Sequence, residues 1–368
     1  MFKNMKLKRV FLSFLLVAVL FSTVSYAAGK IYNKNLSATF GRIKLSYNNK
    51  DVTQDVEDKY DTPPFTVDNR AYVPVRAIGE IMGVDVDYNH KTHTAIFRDK
   101  AKNSNNKFDN VPFGIELANL GTSHAQHSLI YDDLDMVSFS FAMPAQRPYY
   151  DYKMLEKYIA HFEDGADLII PVSYISFYLG YDNENFKQFN KNYYDILDFK
   201  DLKNASKEDY VGYKRLVEKN PDESRDKYIK IDRMNYTISE DKMIQEGRGT
   251  ANRHLDFIQE GKKNKEEFVE ILDDIVALAL ENNINPVLTT TPFTKYYNQY
   301  FSDEFYKDFT GTIKSIAAKH PGVVYLDYSH DKRFTASPEY FFDSGHLNIT
   351  GAKYFTKIIM DDIKKSRP

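Results

Sequence analysis

From residue 111 onward, short apolar segments typical of strands alternate with segments typical of helices. The strand-like segments cover residues 115–120, 136–142, 166–172, 285–291 and 322–328. Several of them are nearly continuous apolar runs, as in strands buried on both faces. The clearest helical segment, residues 266–281, has one apolar stripe made of Phe268, Ile271, Leu272, Ile275 and Leu278. Five strands separated by helices predict an α/β fold with a parallel sheet, helices on both faces, and ligands at the carboxyl ends of the strands.

One stretch interrupts this alternation. Residues 181–255 are rich in Tyr, Asn, Lys and Asp and contain the pair Asn220-Pro221. A segment of this length is too long for a plain connection between a helix and a strand. We interpret it as an inserted subdomain or lid in which substrate choice resides.

The amino terminus differs in kind from the rest of the chain. Lys3, Lys6, Lys8 and Arg9 precede an uncharged run over residues 10–21, and small residues follow at 25–27. This order predicts a secretory signal peptide over residues 1–28 and a secreted protein at the cell wall or the outer face of the membrane. An uncleaved membrane anchor is the alternative, although the run is short for a bilayer span.

Composition narrows the function classes. Removal of residues 1–27 of the predicted signal peptide takes away four positive charges and no negative ones, so the formal net charge moves from −3 to −7. A negative net charge argues against a nucleic acid partner. The chain has no cysteine, so an exported life without disulfides depends on core packing. Its 368 residues are enough for two domains.

A small α+β module precedes the α/β region. Alternating segments at 84–88 and 94–97 flank a turn and predict a hairpin. The string at 69–80, Asn-Arg-Ala-Tyr-Val-Pro-Val-Arg-Ala-Ile-Gly-Glu, resembles the copper amine oxidase-like N-terminal domain, a stalk module of many Gram-positive surface proteins. The resemblance implies a spacer or wall-facing module over residues 31–98 and no copper chemistry.

His90 and His93 fall in the predicted turn, and this position favours a solvated turn over a metal site. The polar residues 99–110 are the predicted linker.

A serine follows the first strand of the α/β region. Ser123 lies in the segment Gly121-Thr122-Ser123-His124, at a predicted turn from strand to helix. A hydroxyl at such a turn is exposed and surrounded by backbone N–H groups, as a serine nucleophile requires. The alternative is that Thr122 or Ser123 only caps the helix.

The matching base and carboxylate lie near the far end of the chain. Asp343 and His346 are three residues apart, just before a predicted helix over residues 349–363. One loop can therefore present imidazole and carboxylate to each other and to the edge of the sheet, with His346 as the base and Asp343 fixing its tautomer. In the alternative interpretation, Asp343 is a helix-entry residue and His346 a surface residue.

The two blocks, Gly121-Thr122-Ser123-His124 and Asp343-Ser344-Gly345-His346-Leu347-Asn348, resemble the first and last blocks of the SGNH/GDSL hydrolase superfamily. The sequences of the two blocks are most similar to the extracytoplasmic acyl-transfer branch of the superfamily, the DltD-like and AlgJ/AlgX-like alginate-acetylation proteins. The resemblance covers about residues 111–365. It implies a flavodoxin-like three-layer domain over residues 111–368, a triad of Ser123, His346 and Asp343, no metal or organic cofactor, and a membrane O-acyltransferase partner that passes acetyl groups outward.

The middle blocks depart from the family pattern. The second block's glycine is replaced within residues 141–146, and Ser173 stands where the third block has Asn. The Ser123 N–H is the first oxyanion donor expected. The remaining candidates for oxyanion or substrate binding are Gly121, His124, the backbone of Ala145 or Gln146, and the Ser173 hydroxyl. His124 either contacts substrate or packs. Arg147, Arg248, Arg253 and His254 are candidates for binding a carbohydrate or an anionic group, with surface solvation as the alternative.

Two functions from different classes follow. The first is a secreted serine esterase or O-acetyltransferase that moves acyl groups to or from a cell-surface polysaccharide through an acyl-enzyme. The second is a non-catalytic wall-associated binding protein that keeps the fold with degenerate oxyanion blocks. Transfer and hydrolysis share the same machinery, and no motif separates them.

Overall fold

A computed structural model describes residues 35–48, 50–58, 63–89, 94–99, 107–181, 188–220 and 235–367. The predicted signal peptide, His90 and His93, and residues 100–106 of the predicted linker lie outside these ranges. The chain divides into two compact units, Met1–Val84 and Asp85–Pro368. The domain boundaries expected from the sequence, at 98 and 111, stay predictions.

The first unit is built from short antiparallel strands. Strands β1 (Thr39–Phe40), β4 (Phe65–Val67) and β5 (Arg70–Tyr72) form one sheet in the order β1-β4-β5, and β2 (Ser46–Tyr47) pairs with β3 (Lys50–Asp51). Asp68 and Asn69 join β4 to β5 with φ of 49° and 60°, the left-handed backbone of a two-residue hairpin turn. Two short helices, α1 (Thr53–Glu57) and α2 (Val75–Ile81), complete what the structure describes of this unit.

The predicted hairpin is confirmed as a pair of strands. Strands β6 (Val84–Asn89) and β7 (Thr94–Asp99) form a two-stranded sheet of their own. Their alternating sequences explain this pairing, because a period of two places one set of side chains on each face.

All five strands predicted after residue 111 are confirmed. They are β8 (Ile115–Asn119), β9 (Ser138–Ser140), β10 (Phe162–Pro171), β11 (Asn285–Thr290) and β12 (Val324–Asp327). Every neighbouring pair is parallel, and the order is β9-β8-β10-β11-β12. This is the 2-1-3-4-5 order of flavodoxin-like folds, in which ligands bind where the order reverses, here between β8 and β10.

Helices cover both faces of the sheet. Within its described residues, the helices of this unit are α3 (Ser123–Ser128), α4 (Pro148–Tyr158), α5 (Lys207–Lys219), α6 (Glu240–Glu260), α7 (Lys265–Glu281), α8 (Lys295–Asn298), α9 (Asp303–Lys319), α10 (Lys332–Thr335) and α11 (Ile349–Ser366). On β10, Leu168 and Ile170 join a core with α4, α7 and α9, whereas Ile169 joins a second core with α11. The alternation along one buried strand thus holds three layers together.

Candidate active site

The turn after β8 presents Ser123. Gly121 has φ +111°, and a Cβ there would lie 2.9 Å from the Ala125 Cβ, so the turn needs glycine at this position. Thr122 is the N-cap of α3, and its hydroxyl accepts a bond from the His124 N–H at 3.3 Å. Because Thr122 caps the helix, the Ser123 hydroxyl is left for another partner.

That partner is His346, from the loop before α11. The Ser123 Oγ lies 3.0 Å from His346 Nε2, and His346 Nδ1 lies 2.9 Å from Asp343 Oδ2. Ser123 and His346 are 223 residues apart in the chain. The structure therefore brings together the three side chains that the sequence proposed, with the hydroxyl and the carboxylate on opposite nitrogens of one imidazole, as a nucleophilic triad requires.

The loop that carries the pair is tightly closed. Phe341 and Leu347 form an isolated antiparallel bridge, and the Phe342 N–H donates to the His346 carbonyl at 3.1 Å. The helix cap is Asn348, whose side chain accepts from the Gly351 N–H at 2.9 Å. The cap of α11 is thus a separate residue, and Asp343 is free to hold the imidazole.

Asp343 stays ionised in this loop. Burial alone would raise its pKa, but the charge and the Nδ1–H of His346 lower it, together with bonds from the Gly345 and His346 N–H groups at 2.8 Å each. The net result is a pKa well below the usual range. An ionised carboxylate favours the tautomer of His346 that carries its proton on Nδ1, which leaves Nε2 to accept from Ser123.

Two rings lie nearly parallel to the His346 ring. His124 stacks on it with centroids 4.6 Å apart, and Phe342 lies at 5.6 Å. Burial, followed by the charges of His346 and His254, lowers the pKa of His124 well below its usual value, so His124 is neutral. Of the two roles expected for His124, packing against the base is the one that these contacts support, although the residue also reaches the cavity wall.

A cavity of about 650 Å³ opens in front of the triad. Its apolar wall is made of Ile175, Leu179, Phe189 and Phe257, and its polar wall comes from α6 as Thr250, Arg253, His254, Asp256 and Glu260. This volume is within the range of about 300–1,000 Å³ that small-molecule sites occupy. Helix α6 begins within residues 181–255, so part of this stretch lines the cavity, and its assignment as an inserted subdomain or lid stays a prediction.

Two backbone N–H groups at the cavity are candidates for binding an oxyanion. The Ser123 N–H belongs to the first turn of α3, where N–H groups have no partner inside the helix. Ala145 lines the cavity with φ +54°, a left-handed conformation that a residue with a Cβ adopts only at a cost. Ala145 thus takes the backbone conformation usual for glycine in the block where the sequence has no glycine.

Three of the sequence candidates for oxyanion binding are corrected by the structure. The Gly121 N–H donates to Asp151 Oδ1 at 2.7 Å. The Gln146 N–H donates to the Met143 carbonyl, and the Gln146 side chain is buried against Asp151. Ser173 is buried, and both its N–H and its hydroxyl bond to the Ser176 hydroxyl. Their hydrogen-bonding groups are already used inside the fold, and none of the three lines the cavity.

The arginine and histidine candidates for carbohydrate or anion binding also differ in whether they line the cavity. Arg253 and His254 line the cavity, whereas Arg147 is buried and donates to the Leu179 and Gly180 carbonyls and to Asn190. Arg248 is exposed on α6 outside the cavity wall. The sequence interpretation missed Asp151 and the apolar wall. A carboxylate among Tyr150, Met154 and Leu155 on the buried face of α4 is the signal that could have found the former.

Within the described ranges, no group of three or more His, Cys, Asp or Glu side chains is placed to bind a metal ion. Within the same ranges, no helix combines the length and apolar character needed to cross a membrane.

Comparison with known proteins gives one family match. Residues 30–97 and 48–110 match the model of the copper amine oxidase N-terminal domain, which confirms the resemblance noted for the first module. No curated protein matches the chain.

Two solved structures are similar at low identity. One, from Streptococcus pneumonia, is described as a proposed platelet activating factor. It is 11% identical, has a TM-score of 0.37, and the alignment covers 68% of this chain and 84% of the other. The second, from Bacteroides fragilis, is described as a proposed acylhydrolase. It is 12% identical, has a TM-score of 0.36, and the alignment covers 71% of this chain and 94% of the other.

Proposed function

We propose that the protein is a serine-dependent esterase or acyl transferase. The observation that carries the proposal is the hydrogen-bonded chain from Ser123 through His346 to Asp343 beside a cavity. Its position supports the proposal independently, because Ser123 follows β8 at the point where the strand order reverses.

The mechanism follows from the geometry. Ser123 Oγ attacks the acyl carbonyl and gives its proton to His346 Nε2, while Asp343 stabilises the imidazolium. The Ser123 and Ala145 N–H groups bind the oxyanion. The imidazolium then protonates the departing alcohol as its bond to the acyl carbon breaks, which leaves an acyl-enzyme. Water or a sugar hydroxyl then attacks the acyl carbon and gives its proton to His346, which returns the proton to Ser123 Oγ as the bond between the acyl carbon and the serine oxygen breaks.

The substrate we propose is an acylated cell-surface polysaccharide. The cavity is many times the size of an acetyl group, so room remains for a sugar unit beside the acyl group. The polar wall from α6 offers hydroxyl, imidazole, guanidinium and carboxylate groups, which suit hydrogen bonding to sugar hydroxyls. The expected signal peptide and stalk module would place the site outside the membrane, where a membrane O-acyltransferase partner would supply the acyl donor.

Turnover of p-nitrophenyl acetate by purified residues 29–368 tests the proposal. We expect wild type to hydrolyse the ester and Ser123→Ala to lose about ten-thousandfold or more in kcat. Ser128→Ala, on the same helix but outside the cavity wall, is the matched control and should keep the wild-type rate. Equal rates for wild type and Ser123→Ala would contradict the proposal and favour a binding protein that has lost its activity.

Addition of an oligosaccharide acceptor separates transfer from hydrolysis. If the enzyme is a transferase, cello-oligosaccharides added with p-nitrophenyl acetate gain acetyl groups, measured by mass spectrometry, and Ser123→Ala abolishes the gain. If p-nitrophenol is released with no acetylated sugar, the esterase alternative is favoured for this acceptor.

A further inference from the structure

Asp151 is a buried carboxyl on the apolar face of α4. It is 7% exposed, and Tyr150, Met154 and Leu155 are buried beside it in the same helix. Burial raises its pKa to about 7, although bonds from Gln146 and Gly121 act in the opposite direction. A carboxyl in such a place destabilises the fold unless its bonds compensate, so its partners indicate what it does.

One oxygen atom of Asp151 joins two turns. Its Oδ1 accepts the Gly121 N–H at 2.7 Å and the Gln146 Nε2 at 2.6 Å. Gly121 is two residues before Ser123, and Gln146 directly follows Ala145. The two turns that carry the oxyanion donors are therefore tied to the same atom.

Both backbone groups of Gly121 are hydrogen-bonded. Its N–H is bound by Asp151, and its carbonyl accepts the Met143 N–H at 3.1 Å. Gln146 is also held from behind, because its Nε2 donates to the Phe141 carbonyl at 3.2 Å and its Oε1 accepts from the Tyr193 hydroxyl at 3.3 Å. With both sides fixed, a shift of Asp151 would be transmitted to both turns.

We propose that Asp151 is a positioning residue that sets the distance between the Ser123 and Ala145 N–H groups and so shapes the oxyanion hole from behind. This inference rests on the proposed function. A backbone displacement of about 1 Å at a catalytic group can cost about a hundredfold in rate, and loss of one oxyanion donor costs a similar factor or more. Asp151 touches no reacting atom. Its substitution should lower kcat, because the oxyanion hole that it shapes binds the transition state.

The experiment compares Asp151→Ala with Asp151→Asn in the full chain, with p-nitrophenyl acetate as the probe. Asparagine keeps an oxygen that can accept both bonds, so it should retain kcat within about threefold. Alanine should lower kcat about 30-fold or more with KM within about threefold. Asp167→Ala is the matched control, because it removes another buried carboxyl, which pairs with Arg367. Asp167 lies on β10 opposite Asn285, the first residue of β11. This control substitution should leave kcat unchanged.

A second measurement reads the link without activity. Hydrogen exchange at the Gly121 amide, followed by NMR in nitrogen-15-labelled protein, should be slow in wild type and Asp151→Asn and at least tenfold faster in Asp151→Ala. Wild type without Ser123-dependent turnover would refute the proposed function, and the exchange rates would then decide the role of Asp151 as the anchor of the turn. Unchanged exchange overturns the inference. So does a kcat in Asp151→Ala equal to that of wild type, or a loss of kcat in Asp151→Asn as large as in Asp151→Ala.

Discussion

The two sides of the cavity are built differently. On the side of the sheet, Ser123, His346 and Asp343 each have defined hydrogen-bond partners, and the turns behind them are buried. On the side of α6, Arg253, Asp256 and Glu260 are exposed. Under the proposed function, the difference assigns chemistry to the hydrogen-bonded side, where catalytic geometry must hold to a fraction of an ångström, and substrate choice to the exposed helix.

The largest expected effect comes from a substitution at Asp343, on the hydrogen-bonded side of the cavity. Asp343→Asn keeps an oxygen for the Gly345 and His346 N–H groups but removes the charge that stabilises the imidazolium and sets the tautomer. We expect kcat for p-nitrophenyl acetate to fall about ten-thousandfold, with thermal unfolding showing that the protein is folded. A fall of less than tenfold would mean that Asp343 does not orient His346.

The second effect concerns the buried carboxyl behind the turns. Burial raises the pKa of Asp151 from its usual value of 3.8 to about 7 in the fold, so between these values the folded state holds a proton that the unfolded state releases. Stability therefore falls as pH rises through this window and levels above about pH 7. Tyr193, which also faces Asp151, stays neutral because burial raises its pKa well above its usual value.

Urea unfolding of wild type and Asp151→Asn at pH 5, 6, 7 and 8 measures this linkage. The free energy of unfolding of wild type should fall relative to that of the variant by roughly 2 kcal/mol or more between pH 5 and pH 8. A difference that does not change with pH would show that Asp151 titrates normally in the fold.

The third effect sharpens the comparison from the side of α6. The triple variant Arg253→Ala, Asp256→Ala, Glu260→Ala removes the exposed charges that line the cavity and leaves the triad intact. We expect kcat/KM for p-nitrophenyl acetate to change less than about threefold, whereas kcat/KM for an O-acetylated cello-oligosaccharide falls about tenfold or more, since each lost polar contact is worth about 1 kcal/mol. Equal losses for both substrates would place these residues in the chemistry rather than in recognition.

The smallest effect lies at Ala145, between the two sides. Its φ of +54° is disfavoured for a residue with a Cβ, and glycine removes that cost. Ala145→Gly should raise the free energy of unfolding by about 1 kcal/mol and keep kcat within about threefold, because the N–H remains. A lower unfolding midpoint would mean that the methyl group packs in the cavity wall and outweighs the backbone strain.

Much of the fold could be predicted because buried parallel strands have a strong sequence signal. The five apolar runs after residue 111 became β8 to β12, and the striped helix predicted at 266–281 is α7 at Lys265–Glu281. The ends were less predictable. Strand β10 begins at Phe162 rather than 166 and contains a register shift between Phe162 and Asp167 that its exposed residues do not indicate.

The sequence indicated which side chains meet at the cavity but not which backbone groups surround them. Ser123, Asp343 and His346 have residue types that only a few reactions need, so their spacing pointed to one edge of the sheet. Ala145, Gln146 and Ser173 were proposed for backbone or hydroxyl donors, and sequence does not show where a turn aims its N–H groups. The partners that occupy the Gln146 N–H and the Ser173 hydroxyl, namely the Met143 carbonyl and the Ser176 hydroxyl, are contacts made only in the folded chain.

Covalent trapping tests the central claim, that Ser123 is a nucleophile activated by His346, most directly. After reaction with a fluorophosphonate probe and proteolysis, mass spectrometry should find one adduct, on the Ser123 hydroxyl. Labelling should be absent in Ser123→Ala and about a hundredfold slower or more in His346→Ala. Wild-type protein that stays unlabelled, or that carries the adduct on another residue while Ser123 is unmodified, would contradict the claim.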